Sequence, residues 1–284
     1  MLGKKPATEV IIIEPKRSLF DFRFGELFRS RELIQNLIRR DFVTVYKQTI
    51  LGPLWFIVNP LITTGMYVFV FGRIARLGTD GIPQPLFYFS GTMLWALFSS
   101  CLQKSSDTFI NNAALFGKIY FPRLAVTISY ISTNLRTFGI QFGVFLILFL
   151  YYSIRGVTVS PTLWALAFPI LILQIVALGT GLGLILSSVT TKYRDLRNLI
   201  TLGLNMWMYI TPVVYPISEV PKRFELLYSL NILSPVMELS RYVLLGRGSV
   251  SLEIWAISFI VSCLTLLIGI LAFNRTERTF IDVI

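Results

Sequence analysis

The stretch TLWALAFPILILQIVALGTGLGLILSSVT, residues 162–190, contains no ionisable side chain. A helix of this length is about 43 Å long, whereas the hydrocarbon core of a bilayer is about 30 Å thick. The rest of the chain has a similar character, because 54% of its 284 residues are hydrophobic and 14% are charged. An ordinary soluble domain has about a quarter charged residues. The sequence therefore predicts a polytopic membrane protein.

Further apolar stretches lie on both sides of this one. The predicted spans are residues 51–72, 87–103, 124–152, 162–190, 198–216 and 254–273. With these boundaries no span contains Asp, Glu, His or Lys, and Arg136 is the one charged residue inside a span. We predict an all-α fold with six transmembrane helices, preceded by a cytoplasmic tail of residues 1–28.

The distribution of basic residues predicts the orientation. The first fifty residues contain ten Lys and Arg, and their apolar runs are too short for a signal peptide. Segments assigned to the cytoplasm hold 18 Lys and Arg, and segments on the other side hold seven. Because basic residues are retained on the cytoplasmic side, both termini are predicted there. The net charge of +11 then reflects a membrane surface and not nucleic-acid binding. Arg136 is expected to be structural and to reach the interface, with a substrate contact as the alternative.

Residues 29–47 are predicted to form an amphipathic helix at the membrane interface. Their apolar side chains recur at helical spacing, and their basic side chains fall on the opposite face. Such a helix can anchor the chain in the headgroup region or have a mechanical role, and the pattern leaves both open.

Two connecting segments also have helical patterns. Ser105-Ser106-Asp107 can cap a short helix that runs to Phe121 and ends at Pro122. The loop of residues 217–251 is predicted to form two short helices, each with a proline near its start. These two helices can dip back toward the membrane on the outer side or belong to an ordinary extracytoplasmic loop.

The missing residue types exclude several kinds of function. The chain has no histidine, and its two cysteines, Cys101 and Cys263, lie in apolar runs, so catalytic triads and Cys/His zinc sites are not expected. Spans without carboxylates argue against a proton relay. The sequence has no G-x-x-x-x-G-K-[ST] motif, so any ATPase must be another polypeptide. Because Asp41, Asp107 and Asp195 are isolated, an enzyme acting on polyprenyl-linked sugars is the weaker alternative.

Aromatic residues make up 14% of the chain, and several lie inside the first and fifth predicted spans. Rings on one face of a helix can pack against the C–H faces of sugars, but core packing and interfacial belts use the same residues. The residues that could line a substrate pathway are the aromatic Phe56, Tyr67, Phe71, Trp207 and Tyr215, together with Thr211, which shares a helix face with Trp207 and Tyr215.

Two pairs of glycines have the G-x-x-x-G spacing of closely packed helices. They are Gly139 with Gly143 and Gly179 with Gly183. The spacing indicates close contact within the subunit or across a dimer, and it does not distinguish the two.

Four blocks in order make the chain recognisable. They are RRDFVTVYKQTILGPLWFIVNP (39–60), NNAALFGKIYFPR (111–123), YRDLRNLI (193–200) and ITPVVYP (210–216). Together they resemble the permease subunit of ATP-binding-cassette type 2 exporters of O-antigen, capsule-like polysaccharide and teichoic acid. The chain departs from the family in the outer loop, where Ser234-Pro235 replaces the usual Asn-Pro.

The resemblance implies an assembly and a substrate. Residues 29–284 would form an ABC type 2 transmembrane domain in the bacterial inner membrane, as a homodimer with two copies of a separate ATP-binding subunit. ATP and Mg²⁺ would bind to that subunit, so this chain would be no enzyme and would carry no cofactor. The substrate would be an undecaprenyl-diphosphate-linked glycan of the O-antigen type for lipopolysaccharide biosynthesis. Teichoic acid, a lipid or a drug is the alternative substrate.

The resemblance also implies residue roles. The segment around residues 105–121 would supply a gate helix and the contact to the ATP-binding subunit. The coupling and gate residues would be Asn111, Asn112, Phe116, Lys118, Tyr120, Phe121 and Arg123. Basic residues at the cytoplasmic rim, Arg39, Arg40 and Lys47, can attract the lipid diphosphate or simply fix the orientation.

Overall fold

A computed structural model describes residues 24–47, 49–118, 121–157, 159–191, 193, 195–224, 228, 230–248 and 251–280. The regular secondary structure of these residues is helical, as the sequence predicts. In chain order the α-helices are α1 (Phe24–Arg29), α2 (Arg31–Tyr46), α3 (Trp55–Tyr67), α4 (Gln84–Ser106), α5 (Thr108–Phe116), α6 (Leu124–Ile154), α7 (Phe168–Thr190), α8 (Leu196–Ile210), α9 (Leu233–Leu245) and α10 (Leu252–Phe280).

Five helical segments of the described chain are long and apolar enough to cross a bilayer. They are Gly52–Ile74, Gln84–Ser106, Leu124–Ile154, Leu163–Thr190 and Leu252–Glu277. The first joins a 3-10 turn, α3 and a π-helical turn at Val68–Ile74. These segments correspond to the first, second, third, fourth and sixth predicted spans.

The fifth predicted span, residues 198–216, is not one continuous helix. Helix α8 ends at Ile210 because Thr211, which precedes Pro212, adopts an extended conformation with φ −89° and ψ 140°. The 15 residues of α8 measure about 22 Å, less than the thickness of the hydrocarbon core. The described residues therefore form five long spanning helices and one shorter apolar helix, where the sequence predicts six spans.

Helices α4 and α7 form the centre of the bundle. The backbones approach closely at two glycines of α7, since a Cβ atom on Gly183 would lie 2.5 Å from the Leu102 carbonyl oxygen and one on Gly179 would lie 2.7 Å from that of Phe98. This G-x-x-x-G pair packs within the subunit, as one of the two predicted alternatives requires. Gly139 has no atom within 4 Å of such a Cβ, so the other predicted pair begins in open space.

Helices α2, α5 and the first turns of α6 gather at one end of the bundle, which we call the α5 end. The last turn of α4 lies there too, and it extends beyond the predicted boundary at residue 103 to Ser106. The expectation that no span contains a lysine is therefore wrong for Lys104. The ammonium group of Lys104 has a hydrogen-bond partner within the bundle, because it donates to Asn134 Oδ1 of α6 at 2.8 Å.

The helix predicted over residues 29–47 and the short helix predicted to run to Phe121 both form, and each is shorter than predicted. The chain turns at Ser30, so the helix expected over residues 29–47 begins as α2 at Arg31. Helix α5 ends at Phe116 and not at Phe121, and it is kinked at Asn112, where φ is −119° and ψ is 15°.

Helix α9 lies at the opposite end, the α9 end, where it is largely buried. Its sides pack against α4, α7 and α10. Gly246 ends it with φ +69°, a left-handed conformation that glycine adopts without steric cost. Of the first helix predicted in the outer loop, the structure describes a 3-10 turn at Lys222–Phe224, and the apolar residues 226 and 227 lie outside the described residues.

Candidate functional site

A polar junction at the α5 end connects α2, α5 and α6 through Asn112. The side chain of Asn112 is 3% exposed. Its amide nitrogen donates to the Tyr130 hydroxyl at 2.7 Å and to the Thr108 carbonyl at 3.0 Å, and its carbonyl accepts from Arg40 Nη2 at 3.2 Å. A buried polar group that loses its partners is costly, so this residue couples the positions of three helices.

Asp41 completes the junction from α2. Its carboxylate pairs with Arg40 at 2.8 Å and accepts from Ser129 Oγ of α6 at 3.3 Å. The basic face of α2 remains exposed, and the three residues predicted for the lipid diphosphate are exposed there: Arg39 and Arg40 on the helix and Lys47 directly after it. The exposed cations of α2 therefore lie beside the buried contacts that hold α5.

A second set of contacts joins α5 to the last turns of α10. The rings of Phe109 and Phe273 stack at a centroid distance of 4.6 Å. The Arg123 guanidinium lies 5.3 Å from the centroid of Phe116, and it donates to the backbone carbonyl of Glu277 at 2.9 Å. The C-terminal end of α10 therefore lies at the same end of the bundle as α2.

Asp107 occupies the break between α4 and α5. It is 6% exposed, and its carboxylate pairs with Arg197 at the start of α8 at 2.9 Å. Burial raises the pKa of Asp107, and the Arg197 charge offsets part of that rise. Because the other carboxylate oxygen is buried without a partner among the described residues, the charged form is held at an energetic cost.

The structure divides the predicted coupling residues into two groups. Asn111 and Lys118 are exposed at the α5 end and accessible to another chain. The others face inward: Asn112, Phe121 and Arg123 are buried, and Phe116 is partly buried. Tyr120 lies outside the described residues.

Three predicted pathway residues lie against α4: Tyr67 of α3 and Phe71 of the π-helical turn are beside Tyr88 near its start, and Trp207 of α8 is farther along. The Tyr67 hydroxyl lies 3.7 Å from the sulfur of Met208, and the rings of Tyr67 and Phe71 are 5.5 Å apart. The ring of Trp207 lies 5.2 Å from that of Phe98 on α4. Tyr67, Phe71 and Trp207 are all partly buried, so each packs on the bundle and keeps part of its surface accessible.

The remaining pathway residues lie elsewhere. Phe56 is buried and stacks on Phe42 of α2 at 5.2 Å, at the α5 end. Thr211 is fully buried at the α9 end, where its hydroxyl accepts a hydrogen bond from Asn231. Tyr215 is partly buried there and donates to the Tyr209 carbonyl at 2.6 Å.

A buried ion pair lies within α9, and sequence reasoning did not identify it. The side chains of Arg241 and Glu238 are 2% and 6% exposed and pair at 3.2 Å. Arg241 also donates to the Val213 carbonyl at 2.8 Å, and its guanidinium lies 3.9 Å from the centroid of Phe87. The i, i+3 spacing of opposite charges within an otherwise uncharged 13-residue segment was the available signal.

Asn231 is a second residue that the sequence did not reveal. Its carbonyl accepts from the Trp207 indole at 3.2 Å and from the Leu233 amide at 3.1 Å. The side chain therefore ties the end of α8 to the start of α9. Among the described residues there is no group of three or more His, Cys, Asp or Glu that could hold a metal ion.

Comparison with known proteins places most of this architecture in one family. The family described as ABC-2 type transporter matches residues 32–245, from α2 to the end of α9. The O-antigen export system permease protein RfbA of Klebsiella pneumoniae is 28% identical over 265 residues, which cover 93% of this chain and 98% of that protein. A Myxococcus xanthus protein of the same name is 29% identical over 69% of this chain and 72% of its own length. The polysialic acid transport protein KpsM of Escherichia coli is 24% identical over 87% of this chain and 95% of its own.

Proposed function

Because the chain belongs to the ABC-2 type transporter family, we propose that it is the permease subunit of an exporter that carries a polysaccharide across the bacterial inner membrane. The observation that carries the proposal is that relatives named for O-antigen export and polysialic acid transport align over 98% and 95% of their own lengths. The five apolar helices supply the membrane-spanning body of such a subunit.

The proposed topology has six membrane crossings, with both termini in the cytoplasm. Its support is that α2 and the last turns of α10 both contact α5, so the described chain begins and ends at one end of the bundle. An even number of crossings is then needed, and α8 with the residues after it supplies the sixth, since it runs from Arg197 at the α5 end to Thr211 at the α9 end. The exposed basic face of α2 supports a cytoplasmic location for the α5 end.

The substrate of the proposal is a glycan linked to undecaprenyl diphosphate. Hydrated sugars need a path lined by groups that tolerate water, because unpaired polar groups in hydrocarbon are costly. Tyr67, Phe71 and Trp207 would contribute to that path where α3 and α8 meet, with Phe56, Thr211 and Tyr215 toward its two ends. The cations Arg39, Arg40 and Lys47 would attract the diphosphate at the cytoplasmic rim.

Energy would come from two copies of a separate ATP-binding subunit on a homodimer of this chain. The exposed residues Asn111 and Lys118, with Tyr120, would meet that subunit. Movement would reach α2 and α6 through Asn112, whose hydrogen bonds join those helices to α5, and it would reach α10 through Phe116, Phe121 and Arg123.

The first test is to purify the C-terminally tagged protein gently from its native membrane. Two ATP-binding chains for every two copies of this chain are expected. A folded protein that brings down no ATPase in several mild detergents would contradict the proposal. The complex also tests the substrate, because a lipid-linked glycan should stimulate its ATPase, whereas stimulation by small amphiphiles alone would favour a lipid or drug exporter.

Substitutions test the proposed residue roles in the same complex. Lys118→Glu should weaken binding of the ATP-binding subunit, whereas Arg247→Glu, an exposed residue at the α9 end, should not. Tyr67→Ala and Trp207→Ala should reduce polysaccharide export without preventing assembly. Trp164→Ala is the control because Trp164 is 59% exposed outside the proposed path. Export at the wild-type level by both pathway variants would exclude the aromatic path.

A further inference from the structure

A pocket of about 240 Å³ lies between α3, α4 and α6, near the α5 end. Its polar lining comes from Ser100 and Lys104 of α4 and from Asn134, Thr137 and Gln141 of α6, with Phe56 of α3 on the apolar side. Of the residues with roles proposed above, the pocket includes only Phe56, and none of its polar lining residues has such a role. Its polar lining inside a membrane bundle requires a separate explanation.

The pocket contains hydrogen-bond donors with unused capacity. The Lys104 ammonium has three N–H groups, and one of them is bonded to Asn134. None of the ion pairs among the described residues includes Lys104, and the nearby carboxylate of Asp41 is already paired with Arg40 at 2.8 Å. The Gln141 amide is 8% exposed and has no hydrogen-bond partner among the described residues. The pocket therefore combines one cation with neutral donors, which suits a compact anion rich in oxygen atoms.

The length of α6 sets the depth of the pocket. Its 31 residues measure about 46 Å, so without tilt about 16 Å of the helix would extend beyond a 30 Å hydrocarbon core. Asn134 lies ten residues, or about 15 Å, from the start of α6 at the α5 end. If the excess length is at that end, Lys104 and Asn134 lie at the boundary between hydrocarbon and headgroups.

We propose that this pocket binds the phosphate group of a membrane lipid. A phosphate at the level of the headgroups would accept hydrogen bonds from Lys104, Ser100 and Gln141. Phe56, Leu97 and Phe138 supply apolar surface beside those donors, which a lipid can cover and a free phosphate ion cannot. The lipid is either a bulk phospholipid or a polyprenyl phosphate, and both present the same group to Lys104.

Arg136 provides a matched control. Residues 134, 137, 138 and 141 form the pocket face of α6, and Arg136 lies about 150° around the helix from the middle of that face. It is exposed and lies within one turn of Asn134, so it has the same charge and nearly the same depth as Lys104. A general attraction of anionic lipid to the protein would involve Arg136 as much as Lys104.

The test is thermal unfolding of the purified protein in dodecyl maltoside with four added probes. They are phosphatidylglycerol, undecaprenyl phosphate, dioleoylglycerol and inorganic phosphate. We expect the first two to raise the unfolding midpoint in a saturable way, because a ligand of the folded state stabilises it. Lys104→Gln should weaken their binding at least about tenfold, and Arg136→Gln should leave it unchanged. Tighter binding of undecaprenyl phosphate would identify the polyprenyl carrier as the source, and tighter binding of phosphatidylglycerol would identify bulk lipid.

Other outcomes would overturn the proposal. The pocket does not recognise lipid phosphate if Lys104→Gln binds the two phosphate-bearing lipid probes with wild-type affinity, or if Lys104→Gln and Arg136→Gln lose affinity equally. The same conclusion follows if dioleoylglycerol, which has no phosphate, raises the unfolding midpoint as much as those two probes do. An equal response to inorganic phosphate would assign the site to the free ion. If Lys104→Gln does not fold, the double variant Ser100→Ala, Gln141→Leu replaces it, and unchanged affinity there contradicts the proposal. The readout is binding, so it stands whether or not the chain exports polysaccharide.

Discussion

Neutralising Glu238 alone should destabilise the protein more than removing the whole Glu238–Arg241 pair. Both side chains are almost fully buried, and they pair at 3.2 Å. Glu238→Leu leaves the Arg241 cation in place without its counter-charge. Removing one partner of a buried pair costs about 3–5 kcal/mol. We expect the lower end of that range, because Arg241 keeps its 2.8 Å hydrogen bond to the Val213 carbonyl and its cation–π contact with the Phe87 ring at 3.9 Å.

The opposite single change should cost less. Burial raises the pKa of Glu238 even with Arg241 present, so in Arg241→Met this carboxyl group can take up a proton and avoid a buried charge. The double variant Glu238→Leu, Arg241→Met should be within about 1 kcal/mol of the wild type, because a well-packed apolar pair replaces a desolvated ionic one. The cycle should therefore give a coupling energy of at least about 2 kcal/mol.

The assay is reversible unfolding in mixed micelles, followed by tryptophan fluorescence, at a constant detergent concentration. Arg247→Gln, an exposed change at the α9 end, controls for the general loss of a positive charge. If the two single variants add to the double variant within about 0.5 kcal/mol, the two groups do not interact in the folded protein. In that case Glu238 does not support the contacts that Arg241 makes with Val213 and Phe87.

Three further predictions concern the α5 end and the helix contacts. In a double-mutant cycle, Asn112→Leu and Tyr130→Phe should couple by about 1 kcal/mol, because each removes one side of the same 2.7 Å hydrogen bond; additivity would contradict the junction. Burial raises the pKa of Asp107 above its ordinary value of 3.8, so the protonated side chain stabilises the folded protein below that value and this stabilisation is lost as the pH rises through the folded-state pKa. Asp107→Asn should therefore raise the unfolding midpoint at pH 7 and have less effect near pH 4. Gly183→Ala should cost about 1–3 kcal/mol because its Cβ would lie 2.5 Å from a carbonyl oxygen of α4, whereas Gly139→Ala, in open space, should have little effect in the same unfolding assay.

Hydropathy alone predicted the long helices but not where they end. An average over many residues locates an apolar stretch, whereas the ends depend on single side chains. Thr211-Pro212 was visible in the sequence as a helix-ending pair, yet the apolar residues on both sides extended the predicted span through it. At Lys104 the predicted span is too short instead. It ends at residue 103, whereas the helix continues to Ser106 with Lys104 hydrogen-bonded to Asn134.

Pairwise contacts between distant segments were beyond sequence reasoning. Glu238 and Arg241 lie in the second helix predicted for the outer loop, and only the folded chain places Arg241 against Phe87 and Val213. The two G-x-x-x-G pairs looked equivalent in sequence, but only Gly179 and Gly183 meet another backbone in the described chain. A spacing defines a helix face, and the packing of the whole bundle decides what that face contacts.

The close contact of α4 with α7 limits how the two ends of the bundle can communicate. Helix α4 reaches both ends, with Asp107 beside α5 and Gly91 beside the Val213 carbonyl that Arg241 holds. It cannot slide past α7, because Gly183 brings the α7 backbone into contact with a carbonyl of α4 and interiors packed this tightly do not deform continuously. A displacement that begins at α5 therefore reaches α9 along α4 only if α4 and α7 move as one body. Such a movement would act on α3 and α8, whose contacts with α4 are side-chain rings such as Tyr67 on Tyr88 and Trp207 on Phe98 and can be rearranged at lower cost.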